Sequence, residues 1–438
     1  MALLAAASPS SRSTQLLDLT DELLERVLAQ AARLEDRSNA ANYPPMHWAR
    51  HTIPLVCKRW DALQARSRAL WSQLRLHDHA MREVCIPHLM RWVLQRQDVI
   101  EHLRIDVTCS LGHLCTASAV LGLLCPTLTT LVLTVRDSLG YAGMPCMPGQ
   151  QLIRQSTRQV LAALAGCTRL QQLELEAFFT GGPAYNRPEY HEALLRLSPL
   201  SHLTALQDMR LVMWSDLVGP PTGLTALSAL TSLELWFWPE DEEELSAGAD
   251  YSFWAPIIRQ LRQLRRLAVY GCQRGNDFIS TLHALTELNL EDYRASALPP
   301  GIAGLSELQN LRITDGYFAS PDSLQPLSAL TSLRSLVLMD CAVYSLPACI
   351  GRLALLTSLH LEGCRLFEMP SQLAQLSSLE RLDLCDNSLM RLDCTVLAQL
   401  QRLTWLRINL SGMFDREDDW SRVQAACPAL VLKVVHAE

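Results

Sequence analysis

Cys109, His113 and Cys115 fall within seven residues of one another, and thiolates beside an imidazole are the ligand types that zinc takes. A structural zinc site needs a second pair at short spacing, and none follows. The acidic run from Glu240 to Glu244 lacks the alternating oxygen ligands of a calcium loop and reads as a solvated loop. No glycine-rich phosphate loop occurs, and no serine at a strand-to-helix elbow. The sequence holds no credible catalytic or metal centre, and no cofactor is expected. The chemistry that remains is recognition by side chains held in an array.

The array is set by one figure, clearest from Leu356 to Leu384. Leucines fall at 356, 359 and 361, and again at 379, 382 and 384. Two apolar positions around one polar position, as in Leu359-His360-Leu361, is the alternation of a short strand with one buried face. The figure also occurs at Leu285/Leu288/Leu290, Leu308/Leu311/Ile313, Leu333/Leu336/Leu338 and Leu403/Leu406/Ile408, at steps of 23, 25, 23, 23 and 24 residues. Six more copies precede these, from Ile100/Leu103/Ile105 to Leu264/Leu267/Val269, at steps of 28, 42, 36, 24, 34 and 21. The longer steps place insertions near Gly140–Gly149, Gly181–Pro188 and Pro239–Phe253.

This period and phase resemble the leucine-rich repeat. The resemblance implies an α/β fold: a solenoid with a curved parallel sheet, leucines inside and the polar strand positions on the concave face. A lone repeat buries too little apolar surface to offset its ordering, so neighbours must stack. Cys272, Cys341 and Cys364 stand five residues after a central leucine, and Asn387 fills that position next. In the family this side chain turns inward and bonds the backbone at the end of the strand, so these cysteines are expected as structural thiols in a reducing compartment.

By register, the concave face is expected to carry Glu174, Glu234, Trp236, Tyr270, His360, Asp383 and Trp405. Aromatic side chains among charges are what a protein-binding face uses. Trp214, Trp236, Phe237 and Trp238 cluster at strand ends beside the Glu240–Glu244 run. A patch of Trp236, Glu234 and Glu174 is expected to take a basic partner segment. The bland alternative is a solvated polar face.

The N-terminal part carries a second resemblance. Residues 16–28 read LLDLTDELLERVL, residues 53–60 read IPLVCKRW, and Leu70-Trp71 follows. Leu19, Glu22, Leu23, Val27, Leu28, Val56, Cys57, Arg59, Trp60, Leu70 and Trp71 fall on the pattern of the F-box. Thr20 stands where that family usually has proline, and residues 33–50 look inserted. The resemblance implies a substrate receptor of an SCF-type, cullin-based ubiquitin ligase. Leu19, Leu23, Val27, Leu28, Cys57 and Trp60 would dock the Skp-family adaptor, and the repeats would hold the substrate protein. The alternative for this segment is a helical cap on the solenoid; the alternative for the whole chain is a non-catalytic scaffold with no ubiquitin role.

The expected organisation is a disordered leader over residues 1–16, an F-box-like helical domain over 17–72, a helical connector over 73–99 and leucine-rich repeats over 100–438. A net charge of −7 over 438 residues gives no support to nucleic-acid binding and disfavours an anionic membrane surface. The longest apolar run, near Ala119–Cys125, is far shorter than the ~18–20 residues of a membrane span. A cytoplasmic setting is expected, the nucleus being compatible; a plastid or a ciliary axoneme is the rival address.

Overall fold

The computed structural model describes residues 72–77, 86–108, 111–136, 159–160, 162–178, 198–214, 222–238, 249–251, 254–274, 276–389, 392–409 and 431–435. The leader and the F-box-like segment, with Leu19, Leu23, Val27, Leu28, Cys57 and Trp60, lie outside them. So does Cys109. The chain divides into two compact units, Met1–Leu206 and Gln207–Glu438.

In the first unit the strands are β1 (Gln73–His77), β2 (His102–Thr108), β3 (Thr130–Arg136) and β4 (Gln172–Phe178). They pair in parallel and in chain order, with Leu74 beside Leu103, Leu103 beside Leu131 and Leu131 beside Leu173. Helices α1 (Ile86–Leu94) and α2 (Leu111–Leu124) return the chain between the first three strands. A 14-residue helix is about 21 Å long, close to the ~23 Å of a seven-residue strand, so one helix carries the chain back to the start of the next strand. The helical connector expected over 73–99 is corrected in part: Gln73–His77 is already a repeat strand, because Leu74 and Leu76 alternate with Arg75 and His77 and are buried.

The second unit has β5 (Asp208–Trp214), β6 (Ser232–Trp238), β7 (Ala249–Asp250), α3 (Ala255–Ile258), β8 (Arg266–Tyr270), β9 (Cys272–Arg274) and β10 (Glu287–Glu291). It continues with β11 (Asn310–Thr314), β12 (Ser335–Met339), β13 (Ser358–His360), β14 (Arg381–Asp383), α4 (Cys394–Gln399), β15 (Trp405–Asn409) and β16 (Val431–Val435). All its strands except β7 and β9 lie side by side in chain order, and β7 pairs with β9 as a separate ribbon. The expected register holds: Leu267, Leu288, Leu311, Leu336, Leu359, Leu382 and Leu406 form one buried column. Here a step of 23 or so residues leaves no room for a long helix, and short 3-10 turns such as Ala348–Arg352 and Ser371–Gln375 take its place. Pro347 and Pro370 stand at their N-caps, where a missing N–H is harmless.

Six strands, β8 and β10 to β14, end in the same way. The residue four after the central leucine is left-handed at Gly271, Asp292, Asp315, Asp340, Gly363 and Asp386. Glycine has no Cβ to clash there, and aspartate tolerates the conformation through its short polar side chain. The turn drives the next side chain inward. Cys341 Sγ reaches Ile313 O at 3.6 Å and accepts from Gly316 N at 3.3 Å; Cys364 Sγ reaches Leu338 O at 3.3 Å. Asn387 Nδ2 donates to Leu361 O at 2.6 Å and to Leu384 O at 3.0 Å, while its Oδ1 accepts from Leu366 N at 3.0 Å. Burial pushes the Cys341 thiol up to about 12, so it stays protonated and bonds as a donor. The insertion after β6 supplies its own version of this contact, since Tyr251 Oη donates to Tyr270 O at 2.7 Å and lies 3.3 Å from Leu235 O.

Candidate partner-binding face

The polar strand positions of the second unit point away from the leucine columns. Two groups of the expected residues assemble there.

The first group spans β5 to β11. The Trp236 and Tyr270 rings stack with centroids 5.2 Å apart and planes 15° from parallel. The Arg210 guanidinium lies 5.7 Å above the Trp236 ring, a cation–π distance. Arg210 Nε also lies 3.1 Å from Glu234 Oε1, and the Trp236 indole N–H donates to the same carboxylate. Tyr270 is half-buried; burial, then the nearby Asp292 carboxylate, raises its phenol above the ordinary value, so it stays neutral. Glu291 accepts from Asn289 Nδ2 at 2.8 Å and sits 3.8 Å from Arg312.

The second group spans β13 to β15. Ser358 Oγ lies 3.0 Å from His360 Nε2, and His360 Nδ1 lies 3.6 Å from Asp383 Oδ2. Arg407 Nη1 bridges Asp383 at 3.0 Å and Glu362 at 3.1 Å. The Trp405 ring sits 6.1 Å from the His360 ring, tilted by 45°. Burial acts to raise the Asp383 carboxyl. The His360 contact, the Cys385 N–H and the Arg407 guanidinium outweigh it and hold the group below the ordinary carboxylate value.

Ser358, His360 and Asp383 share the connectivity of a nucleophile, a base and an orienting acid. Their surroundings fit recognition better. Arg407 neutralises the carboxylate that would have to stabilise an imidazolium. Acyl transfer also needs N–H donors aimed at a developing oxyanion, whereas Ser358 N is bonded to Arg334 O at 3.0 Å and Leu361 N to Asp383 O at 2.9 Å.

The structure therefore brings Glu234, Trp236 and Tyr270 together, and separately His360, Asp383 and Trp405. Seven strand spacings separate β6 from β15 in the sheet order, or roughly 34 Å at ~4.8 Å each. Glu174 belongs to the first unit, half-buried on β4 beside Val132. Two expectations change. Asp383 is not an open contact, since its side chain is 3% exposed and holds Arg407 and His360 in place. Glu234 is not a bare carboxylate waiting for a basic segment, because Arg210 already occupies it. The side chains of Trp214, Phe237 and Trp238 lie outside the description. Sequence reasoning missed Ser358 and Glu362, although both sit in register on this face, two residues either side of His360. No group of three or more His, Cys, Asp or Glu suited to a metal ion occurs among the described residues. No helix among them is long and apolar enough to cross a membrane.

No protein-family model matches this chain, and no curated protein does. Solved structures do. The Drosophila Toll–Spatzle complex aligns with a TM-score of 0.51 at 17% identity, over 83% of this chain and 47% of that one. An internalin from Listeria monocytogenes aligns at 0.47 and 14% identity, over 80% of this chain and 88% of its own. At such identities the likeness concerns fold alone. Parallel strands in chain order, leucine columns in register and the Toll likeness agree: the chain has the leucine-rich-repeat fold.

Proposed function

We propose that this chain is a non-catalytic interaction protein whose strand face in the second unit holds a protein partner. The observation that carries the reading is the stacked Trp236–Tyr270 pair, half-exposed on that face among charges that are already paired. Such a pair offers rigid apolar area with little rotamer entropy to lose, while the paired charges around it supply orientation. The similar Toll chain is itself seen in complex with another protein, Spatzle. The test is affinity purification with the full chain. Trp236→Ala is expected to weaken capture of the principal partner roughly thirtyfold, which corresponds to about 2 kcal/mol for a hot-spot aromatic. Unchanged capture by both Trp236→Ala and Trp405→Ala would remove this face from the account.

A second reading adds a role for that binding. The sequence Val56-Cys57-Lys58-Arg59-Trp60, preceded by Leu19, Leu23, Val27 and Leu28, favours a substrate receptor of an SCF-type ubiquitin ligase. In it the N-terminal segment docks a Skp-family adaptor and its cullin complex, and the face described above takes the substrate. Leu19→Asp should then abolish adaptor capture while leaving the repeat partner bound, because it places an unpaired charge in an apolar contact. A wild-type chain that captures a repeat partner but never an adaptor would leave the scaffold reading alone standing.

A further inference from the structure

Cys125 and Cys167 take the place of a core leucine that is constant from β5 to β15; the repeat of β2 has Gln97 there. The residue six before the central strand leucine is a buried leucine in each of the nine repeats from β5 to β15, from Leu203 and Leu227 to Leu376 and Leu400. In the repeats of β3 and β4 that position is Cys125 and Cys167 instead. The two cysteines are thus neighbours in the stack although 42 residues apart in sequence. Two adjacent losses of leucine volume in a core column are an expensive coincidence, unless the two sulfurs act together.

Their geometry says that they do. The Sγ atoms lie 3.0 Å apart, inside ordinary sulfur–sulfur contact. Cys125 Sγ also reaches Ala163 O at 3.0 Å, which fixes its rotamer toward Cys167. Stacked residues at equal register stand about 5 Å apart, within the roughly 4.4–6.8 Å Cα separation that a disulfide requires. Both thiols are buried, Cys125 being 6% exposed. Gly166 is exposed beside Cys125, and a Cβ there would come within 3.2 Å of Cys125 Sγ, a tight contact. The hydrogen bond from Cys167 lowers the Cys125 thiol below its ordinary value and raises that of Cys167, so Cys125 ionises first.

We propose that Cys125 and Cys167 form a redox-sensitive pair that closes to a disulfide between consecutive repeats when a small peroxide reaches it. The Cys125 thiolate attacks one peroxide oxygen. The O–O bond breaks, and the departing hydroxide takes up a proton to become water. Cys167 then attacks the sulfenic sulfur; the S–O bond breaks, and the Cys167 thiol proton leaves with the hydroxide as a second water. Two thiols and one peroxide give one disulfide and two waters, with two electrons passing to the peroxide. The buried thiols of Cys341 and Cys364 instead reach backbone carbonyls of the preceding repeat, Ile313 O at 3.6 Å and Leu338 O at 3.3 Å.

The test is a peptide map of the full chain treated with hydrogen peroxide, alkylated under denaturing conditions and digested with trypsin without reductant. Expected is a cross-linked species of Ile105–Arg136 with Gln159–Arg169, two hydrogens lighter than the sum, with Cys125 and Cys167 both escaping alkylation. Cys125→Leu and Cys167→Leu, which restore the side chain of the other repeats, should each abolish it, whereas Cys115→Ser should not. The wild-type map stands without the variants should either fail to fold. Cys125 and Cys167 alkylated while other cysteines are oxidised, or either one found linked to a third cysteine, would overturn the proposal.

Discussion

Asn387 closes the strand end of one repeat onto the next, and removing its amide strands groups that can be counted. Leu366 N and Leu361 O lose the partners described above, and Leu384 O loses its bond as well. Cys385 O keeps Gly363 N at 3.0 Å, so it is not stranded. Three lost partners at about 1 kcal/mol each give about 3 kcal/mol for Asn387→Ala, or more than a hundredfold in a local opening equilibrium. A global melt is the wrong assay, since a repeat array opens region by region. Hydrogen exchange at the Leu366 amide reads the effect directly, with the amides of β5 as an internal control. Asn387→Cys is the discriminating companion, because Cys364 and Cys341 occupy the same position and each supplies a thiol. It should recover about a third of the loss, one weak bond of the three. Exchange at Leu366 that rises less than threefold in Asn387→Ala, or equally in the alanine and cysteine variants, would refute this account of the strand end.

Other consequences are as direct. Leu359→Ala should cost about 2–5 kcal/mol through lost burial and a cavity, because Leu336 and Leu382 flank it in the same column; denaturant unfolding of the second unit checks it. Asp383 is held below the ordinary carboxylate value, so its contribution is present above the unfolded value of about 3.9 and fades as pH falls through the lower folded one. Asp383→Asn should therefore lower stability at neutral pH and flatten the acid limb, as read by denaturant midpoints across the range. Incubation with a fluorophosphonate probe should leave Ser358 unlabelled; labelling that Ser358→Ala abolishes would make the Ser358–His360–Asp383 line catalytic and end the non-catalytic reading.

The repeat register was legible because strand alternation puts every second side chain on one face, and a buried leucine column tolerates few substitutes. Leu359 and Leu382 could thus be placed from spacing alone, whereas the inward turn of Asn387 was implied by the resemblance to the leucine-rich repeat. β1 was not legible, because Gln73–His77 is five residues with no leucine three places before Leu74 to complete the figure. Tyr251 was not legible either. It enters from an insertion whose length breaks the period, and only the fold shows that its hydroxyl reaches strand-end carbonyls. The electrostatics of the face lay further out of reach. Sequence gives the charge of Glu234 and Arg210 but not which cross-strand neighbour each selects.

That pairing bears on what the face can recognise. Glu234, Glu291, Glu362 and Asp383 each have an arginine within 4 Å, on an adjacent strand or the one after it. A basic partner segment gains little by approaching carboxylates that already have guanidinium partners, since each new ion pair displaces an existing one. Surface pairs are worth under about 1 kcal/mol and weaken with salt. The stacked Trp236–Tyr270 pair and Trp405 carry no net charge, and the attraction of their apolar ring area for an apolar partner surface is not an ion pair that salt screens. If the aromatic groups lead, raising salt should change the partner's on-rate more than its dissociation rate. A dissociation rate that climbs steeply with salt would instead show that the partner breaks these arginine–carboxylate pairs and binds through the charges themselves.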